Sequence, residues 1–114
     1  MKFVTISTIA LALLSTSAEA TVFLGTQGNW IIAWINGDNS CTQSVAISKK
    51  SENPCGRRFK LSNGFTYSLT GCGGSNFAVL NGDGSFNALC RPQKEWYVSC
   101  LDYNLGRAYG NWAC

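Results

Sequence analysis

The residues of this chain that could do chemistry are few, and their types exclude more than they offer. Histidine is absent, which removes the commonest general base and with it the Ser-His-Asp and Cys-His arrangements. Mixed Cys/His metal sites go with it. The six cysteines are Cys41, Cys55, Cys72, Cys90, Cys100 and Cys114, and the nearest pair is ten residues apart. Zinc and redox sites use the tighter C-x-x-C spacing, so three structural disulfides are expected instead. Beyond residue 20 the acids are Asp38, Glu52, Asp83, Glu95 and Asp102. A glycosidase needs two carboxyls flanking one cleft. Asp38 and Asp83 lie in glycine-rich turns, where aspartate is favoured for backbone reasons, and Glu52 and Glu95 lie in hydrophilic stretches. Asn81-Gly82-Asp83-Gly84 resembles an oxygen-rich calcium loop but lacks the later bidentate glutamate. No catalytic residue, metal ligand or cofactor is assigned, and the chain is read as a non-enzyme.

Two stretches suit binding rather than reaction. In the C-terminal third, Trp96, Tyr97, Tyr103, Tyr109 and Trp112 interleave with Glu95, Asp102, Asn104, Arg107 and Asn111. Exposed and coplanar, such rings stack on sugars while the polar groups fix hydroxyls; buried, they fill the core of a small β-domain. The second stretch is basic, with Lys49, Lys50, Arg57, Arg58 and Lys60 facing only Glu52. It reads either as a solvated face or as a contact patch for an anionic surface. Lys49, Lys50, Arg57, Arg58, Trp96, Tyr97, Tyr103 and Tyr109 are thus the candidate binding residues. A net charge of +3 is too small for the dense basic stripe of a nucleic-acid binder.

The elements that must position these residues are strands. No helical periodicity runs through residues 21–114. Short alternating apolar runs are divided by Asn-Gly, Gly-Gly and Asp-Gly, the pattern of many short antiparallel strands. Runs at 21–24, 29–35, 42–48, 58–62, 65–70, 77–80, 85–91, 96–101 and 108–114 are the expected strands. In the second, Trp30, Ile32 and Trp34 face one way and Ile31, Ala33 and Ile35 the other, the mark of a strand covered on both faces. A three-residue loop, Ser62-Asn63-Gly64, sets Phe59 opposite Tyr67 and Leu61 opposite Phe65 and puts glycine at the left-handed position. A second hairpin around Asn81–Gly84 is expected to pair Val79 with Phe86 and Phe77 with Ala88. The fold class is all-β: a small disulfide-stapled β-sandwich or Greek-key barrel of about eight short antiparallel strands.

Residues 1–20 carry the marks of a secretory signal peptide. Lys2 supplies the positive start, Phe3–Leu14 the apolar stretch, and Ala18-Glu19-Ala20 the small residues of a cleavage site. The apolar stretch is too short to span a bilayer, and no transmembrane segment is expected elsewhere. Residues 21–114 are then one secreted domain, small enough that its core alone is marginal, in a compartment where disulfides persist. Of the fifteen pairings that six cysteines allow, Cys41–Cys55 is favoured as a local loop closure. Cys114 is expected to tie down the chain end.

The leader ending Ala18-Glu19-Ala20, the short β-rich chain and the widely spaced cysteines together resemble the small secreted cysteine-rich proteins of filamentous fungi. The resemblance is one of architecture and composition and covers the whole chain. It implies a host-facing or competitor-facing role, since many such proteins are virulence effectors and others antimicrobial toxins. The chain is expected to be a monomeric effector acting on a host protein or cell-surface component. The alternatives are a carbohydrate-binding module, with a polysaccharide partner for the C-terminal aromatics, and an antimicrobial or killer-type toxin using the basic stretch.

Overall fold

A computed structural model describes residues 21–100 and 106–114. The signal-peptide assignment, Asp102, Tyr103 and Asn104 fall outside the described residues. Among these there is no helix, and nine antiparallel strands form two sheets. They are β1 (Val22–Gln27), β2 (Trp30–Ile35), β3 (Val45–Lys49), β4 (Phe59–Lys60), β5 (Thr66–Thr70), β6 (Ala78–Asn81), β7 (Phe86–Leu89), β8 (Arg91–Val98) and β9 (Ala108–Ala113). One sheet has the order β3-β2-β1-β9-β8, the other β4-β5-β6-β7. The architecture is a sandwich and not a closed barrel, because the two sheets keep separate edges. No helix of the described residues is long and apolar enough to cross a membrane.

The two-faced run of β2 explains why the larger sheet is apolar on both sides. Val22, Leu24, Ala33 and Ile47 point toward the smaller sheet and pack with Phe59, Leu61, Tyr67, Leu69 and Val79, with Ile31 and Ile35 alongside. The other face of the same sheet carries a second cluster, in which Ile32, Trp34, Ala108 and Cys100 pack with Phe23, Trp30, Cys41 and Trp96. Fully burying one such aliphatic or aromatic side chain contributes about 1.5–3 kcal/mol. The second cluster therefore carries a substantial share of the fold, although no third sheet covers it among the described residues. The segment bearing Cys41 and the end of β8 close over it instead.

The hairpin of β4 and β5 follows the register that its loop chemistry demands. Phe59 pairs with Tyr67 and Lys60 with Thr66. The Leu61 amide donates to the Phe65 carbonyl at 3.0 Å, the Gly64 amide to Leu61 at 2.9 Å, and Gly64 sits at φ 86°. Phe65 departs from the apolar face: its backbone stands opposite Leu61 at the mouth of the turn, but its ring is 66% exposed. The β6–β7 hairpin differs from expectation. Val79 pairs with Ala88, and Leu80 with Phe86, so Asn87 is an extra residue on β7. Its amide donates to Asn81 Oδ1 at 2.7 Å. This bulge turns Phe86 onto the outer face, 61% exposed, where strict alternation would have buried it.

The disulfides are Cys41–Cys100, Cys55–Cys72 and Cys90–Cys114, and all six cysteines are paired. The favoured local pair Cys41–Cys55 is overturned. Cys41 packs in the outer cluster and Cys55 in the cluster between the sheets, so the five-stranded sheet itself separates them. Cys90 sits where the chain leaves β7 for β8. Its bridge to Cys114 secures the chain end, where the amides of Val22 and Cys114 bond each other's carbonyls at 3.2 and 2.8 Å.

Candidate functional site

The C-terminal aromatics divide by strand parity. Trp96 on β8 points to the outer face, where its ring meets Phe23 edge-on at 5.1 Å and Trp34 at 6.2 Å. It lies directly over Gly110, its partner on β9, where even a Cβ would overlap the indole. Trp112, displaced by an irregularity between Gly110 and Trp112, turns the other way and packs edge-on against Phe77 at 5.0 Å. Both tryptophans therefore serve packing.

The tyrosines behave differently. Tyr97 and Tyr109 are direct partners across β8 and β9, on the face opposite Trp96. Their ring centroids are 5.9 Å apart with planes tilted by 49°. The Arg107 guanidinium stands over the Tyr97 ring at 4.3 Å, a cation–π contact that holds the side chain against the aromatic face. Tyr97 is 53% exposed, because the smaller sheet stops short of this row. Beside it, Asn111 Nδ2 donates to Glu95 Oε2 at 2.8 Å. Five members of the interleaved set, Tyr97, Tyr109, Arg107, Glu95 and Asn111, therefore meet on β8, β9 and the residue before β9.

The same sheet face leads into a cleft of about 520 Å3. Thr26, the partner of Tyr109 on β1, lies in its floor with Leu24 and Ile31, while Leu69, Phe77 and Trp112 form its inner wall. Pro54, Cys72 and Gly73-Gly74 roof it, held by the Cys55–Cys72 bridge. This cleft was not legible in the sequence. It is made by core residues that look like ordinary packing in any linear reading.

The basic stretch is exposed at Lys49, Lys50, Arg57, Arg58 and Lys60, with its two arginines tethered. Arg57 faces Glu52 at 3.8 Å and donates to the Asn53 carbonyl at 3.3 Å. Arg58 reaches across to the Gly82 carbonyl at 2.9 Å, tying the two hairpins of the smaller sheet together. Lys49 and Lys50 are exposed, and the Lys50 amide donates to Asn29 at 2.7 Å, which fixes this loop against the β1–β2 turn.

Each described acid is engaged locally. Ser62 donates to Asp38, joining the loop after β2 to the β4–β5 hairpin. Glu52 accepts from the Lys49 amide at 3.1 Å, and Glu95 accepts from Asn111. Asp83 Oδ1 accepts the Ser85 hydroxyl at 2.6 Å and the Ser85 amide at 2.9 Å. The hydroxyl first, then the amide, hold its carboxyl below the usual carboxylate range. A depressed folded-state pKa stabilises the fold above the unfolded pKa, and that contribution is lost as pH falls through the folded value. Acidification below about pH 4, the ordinary aspartate range, should therefore weaken the β6–β7 turn in the native protein. Asp83→Asn should flatten that part of the stability–pH curve, read by denaturant unfolding at stepped pH. An unchanged slope would show that the Ser85 bonds do not hold the carboxylate.

One functional-looking polar contact escaped the sequence reading. Gln27 is buried at 6% exposure, and its Nε2 lies 3.3 Å from Cys100 Sγ and 3.1 Å from the Gly106 carbonyl. It anchors both ends of the β8–β9 connection to β1. Only the alternation of β1, which puts Gln27 on the same side as Phe23, could have hinted at it.

Compared with protein-family models, with curated proteins and with solved structures, the chain matches none of them.

Proposed function

We propose that this is an exported, non-catalytic binding protein of the effector type, which engages a host protein or cell-surface component through Tyr97, Tyr109 and Arg107. The observation that carries the reading is an exposed Tyr97 beside a half-buried Tyr109, with an arginine stacked on the exposed ring. Tyrosine and arginine are the side chains that most often dominate the energy of protein interfaces. The engagement of Asp38, Glu52, Asp83 and Glu95 with local hydrogen-bond partners supports the non-catalytic part of the reading. Three disulfides support export, since such bridges persist outside the reducing cytosol.

The polysaccharide alternative loses support from the 49° tilt between the tyrosine planes, which offers no flat platform, and from the packing of both tryptophans. The toxin alternative rests on the exposed Lys49, Lys50 and Lys60, since Arg57 and Arg58 also bond Glu52 and the Gly82 carbonyl. The test is capture of partners from host extracts and cell surfaces by residues 21–114. Replacing Tyr97 and Tyr109 together with serine should cost about 2 kcal/mol or more, roughly thirtyfold in affinity, with an unchanged circular dichroism spectrum. Asp38→Asn, Asp83→Asn and Glu95→Gln should each leave activity within a few-fold. A single amide replacement that abolishes activity in the folded protein would make a carboxylate-based hydrolase the better account.

A further inference from the structure

Beyond the tyrosine face, we infer that the 520 Å3 cleft is a second binding site, for a neutral, apolar small molecule carrying a hydroxyl group, of the long-chain alcohol or sterol class. Its volume is within the roughly 300–1,000 Å3 of small-molecule sites. The walls are of the matching chemistry. Ile31, Phe77 and Trp112 present hydrocarbon over the buried Leu24 and Leu69, and Pro54 and the Gly73-Gly74 backbone complete the enclosure. Burying an apolar ligand there gains about 25 cal/mol for each Å2 of apolar surface removed from water.

Charge decides the head group. None of the residues lining the cleft is charged, and Thr26 and Asn111 bring its polar side chains. Asn111 gives one amide hydrogen to Glu95 Oε2 at 2.8 Å. This leaves its second N–H to donate and its Oδ1 to accept, which is what one hydroxyl needs. The charged group bonded to this anchor is a carboxylate. A fatty acid or phospholipid head would bring a like charge toward Glu95 and would lose hydration in an apolar cleft. An alcohol meets neither cost.

The reading does not depend on the tyrosine face, and the experiment keeps the two apart. Residues 21–114 are titrated with 1-dodecanol and, separately, with dodecanoate at pH 8, both below micelle formation, while tryptophan fluorescence is followed. Dodecanol should change the emission saturably, and Trp112→Phe should remove most of that change, since Trp112 lines the cleft. Dodecanoate should bind at least tenfold more weakly than dodecanol. Thr26→Phe, which fills the floor with a residue that strands accept, should weaken dodecanol at least tenfold. Asn111→Leu should narrow the alcohol-to-acid preference to within about threefold while keeping the apolar contribution. Tyr97→Ser with Tyr109→Ser should leave dodecanol binding within threefold. The inference is overturned if dodecanol gives no saturable signal, if Thr26→Phe and Trp112→Phe both leave the signal intact, or if dodecanoate binds as tightly as dodecanol. Each of those results leaves partner capture by the tyrosine face standing.

Discussion

Replacing Cys41 and Cys100 together with serine is expected to be the most damaging change to the fold that spares its hydrophobic side chains. This bridge closes a separation of 59 residues, against 17 for Cys55–Cys72 and 24 for Cys90–Cys114. In the chain-entropy treatment the long loop is worth about 4 kcal/mol and the two shorter ones each about 3 kcal/mol. For a domain of this size that is a fall in Tm of roughly 15–30 °C. The location adds a second readout. Both cysteines pack in the outer cluster with Trp34 and Trp96, and Gln27 holds Cys100 from β1. Loss of the bridge should release the segments that cover this face, so tryptophan emission should shift to the red before global unfolding. Equal losses from all three double-serine variants, with no change in emission, would show that the bridge does not hold the outer cluster closed.

Gly25→Ala is expected to cost about 3 kcal/mol, at the upper end of the ordinary range for overpacking. Gly25 on β1 lies opposite Gly110 on β9, where the strands approach so closely that a Cβ at position 25 would overlap the Tyr109 carbonyl. The obstacle is backbone, so no rotamer change relieves it. The strands must separate, which weakens the β1–β9 ladder at the centre of the larger sheet and moves Tyr109 out of line with Tyr97. The measurement is denaturant unfolding of Gly25→Ala beside Gly110→Ala. At Gly110 the neighbour is the Trp96 ring, a side chain that can swing away, so that variant should lose less stability while its tryptophan emission changes more. If Gly25→Ala is as stable as the native protein, the close β1–β9 approach is not a constraint on the fold.

The hairpin of β4 and β5 was readable to the residue, because a three-residue loop with glycine in the left-handed position admits only one register that keeps Phe59 and Tyr67 together. The neighbouring β6–β7 hairpin was not. Its loop type does not announce the Asn87 bulge, and that bulge exchanges which face Phe86 occupies. The apolar alternation points to a strand at 96–101, whereas β8 runs Arg91–Val98. Its first half, Arg-Pro-Gln-Lys-Glu, has no alternating apolar pattern because it is the edge of a sheet, exposed along nearly its whole length. Pro92 and Lys94 are residues that sheet edges tolerate or favour as protection against further pairing.

By itself the sequence determined the all-β class, the paired state of the cysteines and the two-sided burial of β2. These follow from local rules: alternation sets which side chains share a face, turn residues set where strands end, and widely spaced cysteines without histidine leave disulfides as the ordinary outcome. Which cysteine meets which was decided only by the tertiary structure, because Cys41 and Cys55 are close in sequence yet stand on opposite sides of the five-stranded sheet. The division of the aromatics was decided there too. Trp96 and Tyr97 are adjacent, of similar chemistry and equally able to pack or to bind. One turned toward Phe23, Trp34 and the space above Gly110; the other turned toward a face that the smaller sheet does not reach. The cleft beneath the Cys55–Cys72 bridge exists for the same reason: two sheets of unequal extent leave part of an apolar face uncovered, and no local pattern encodes where the shorter sheet will stop.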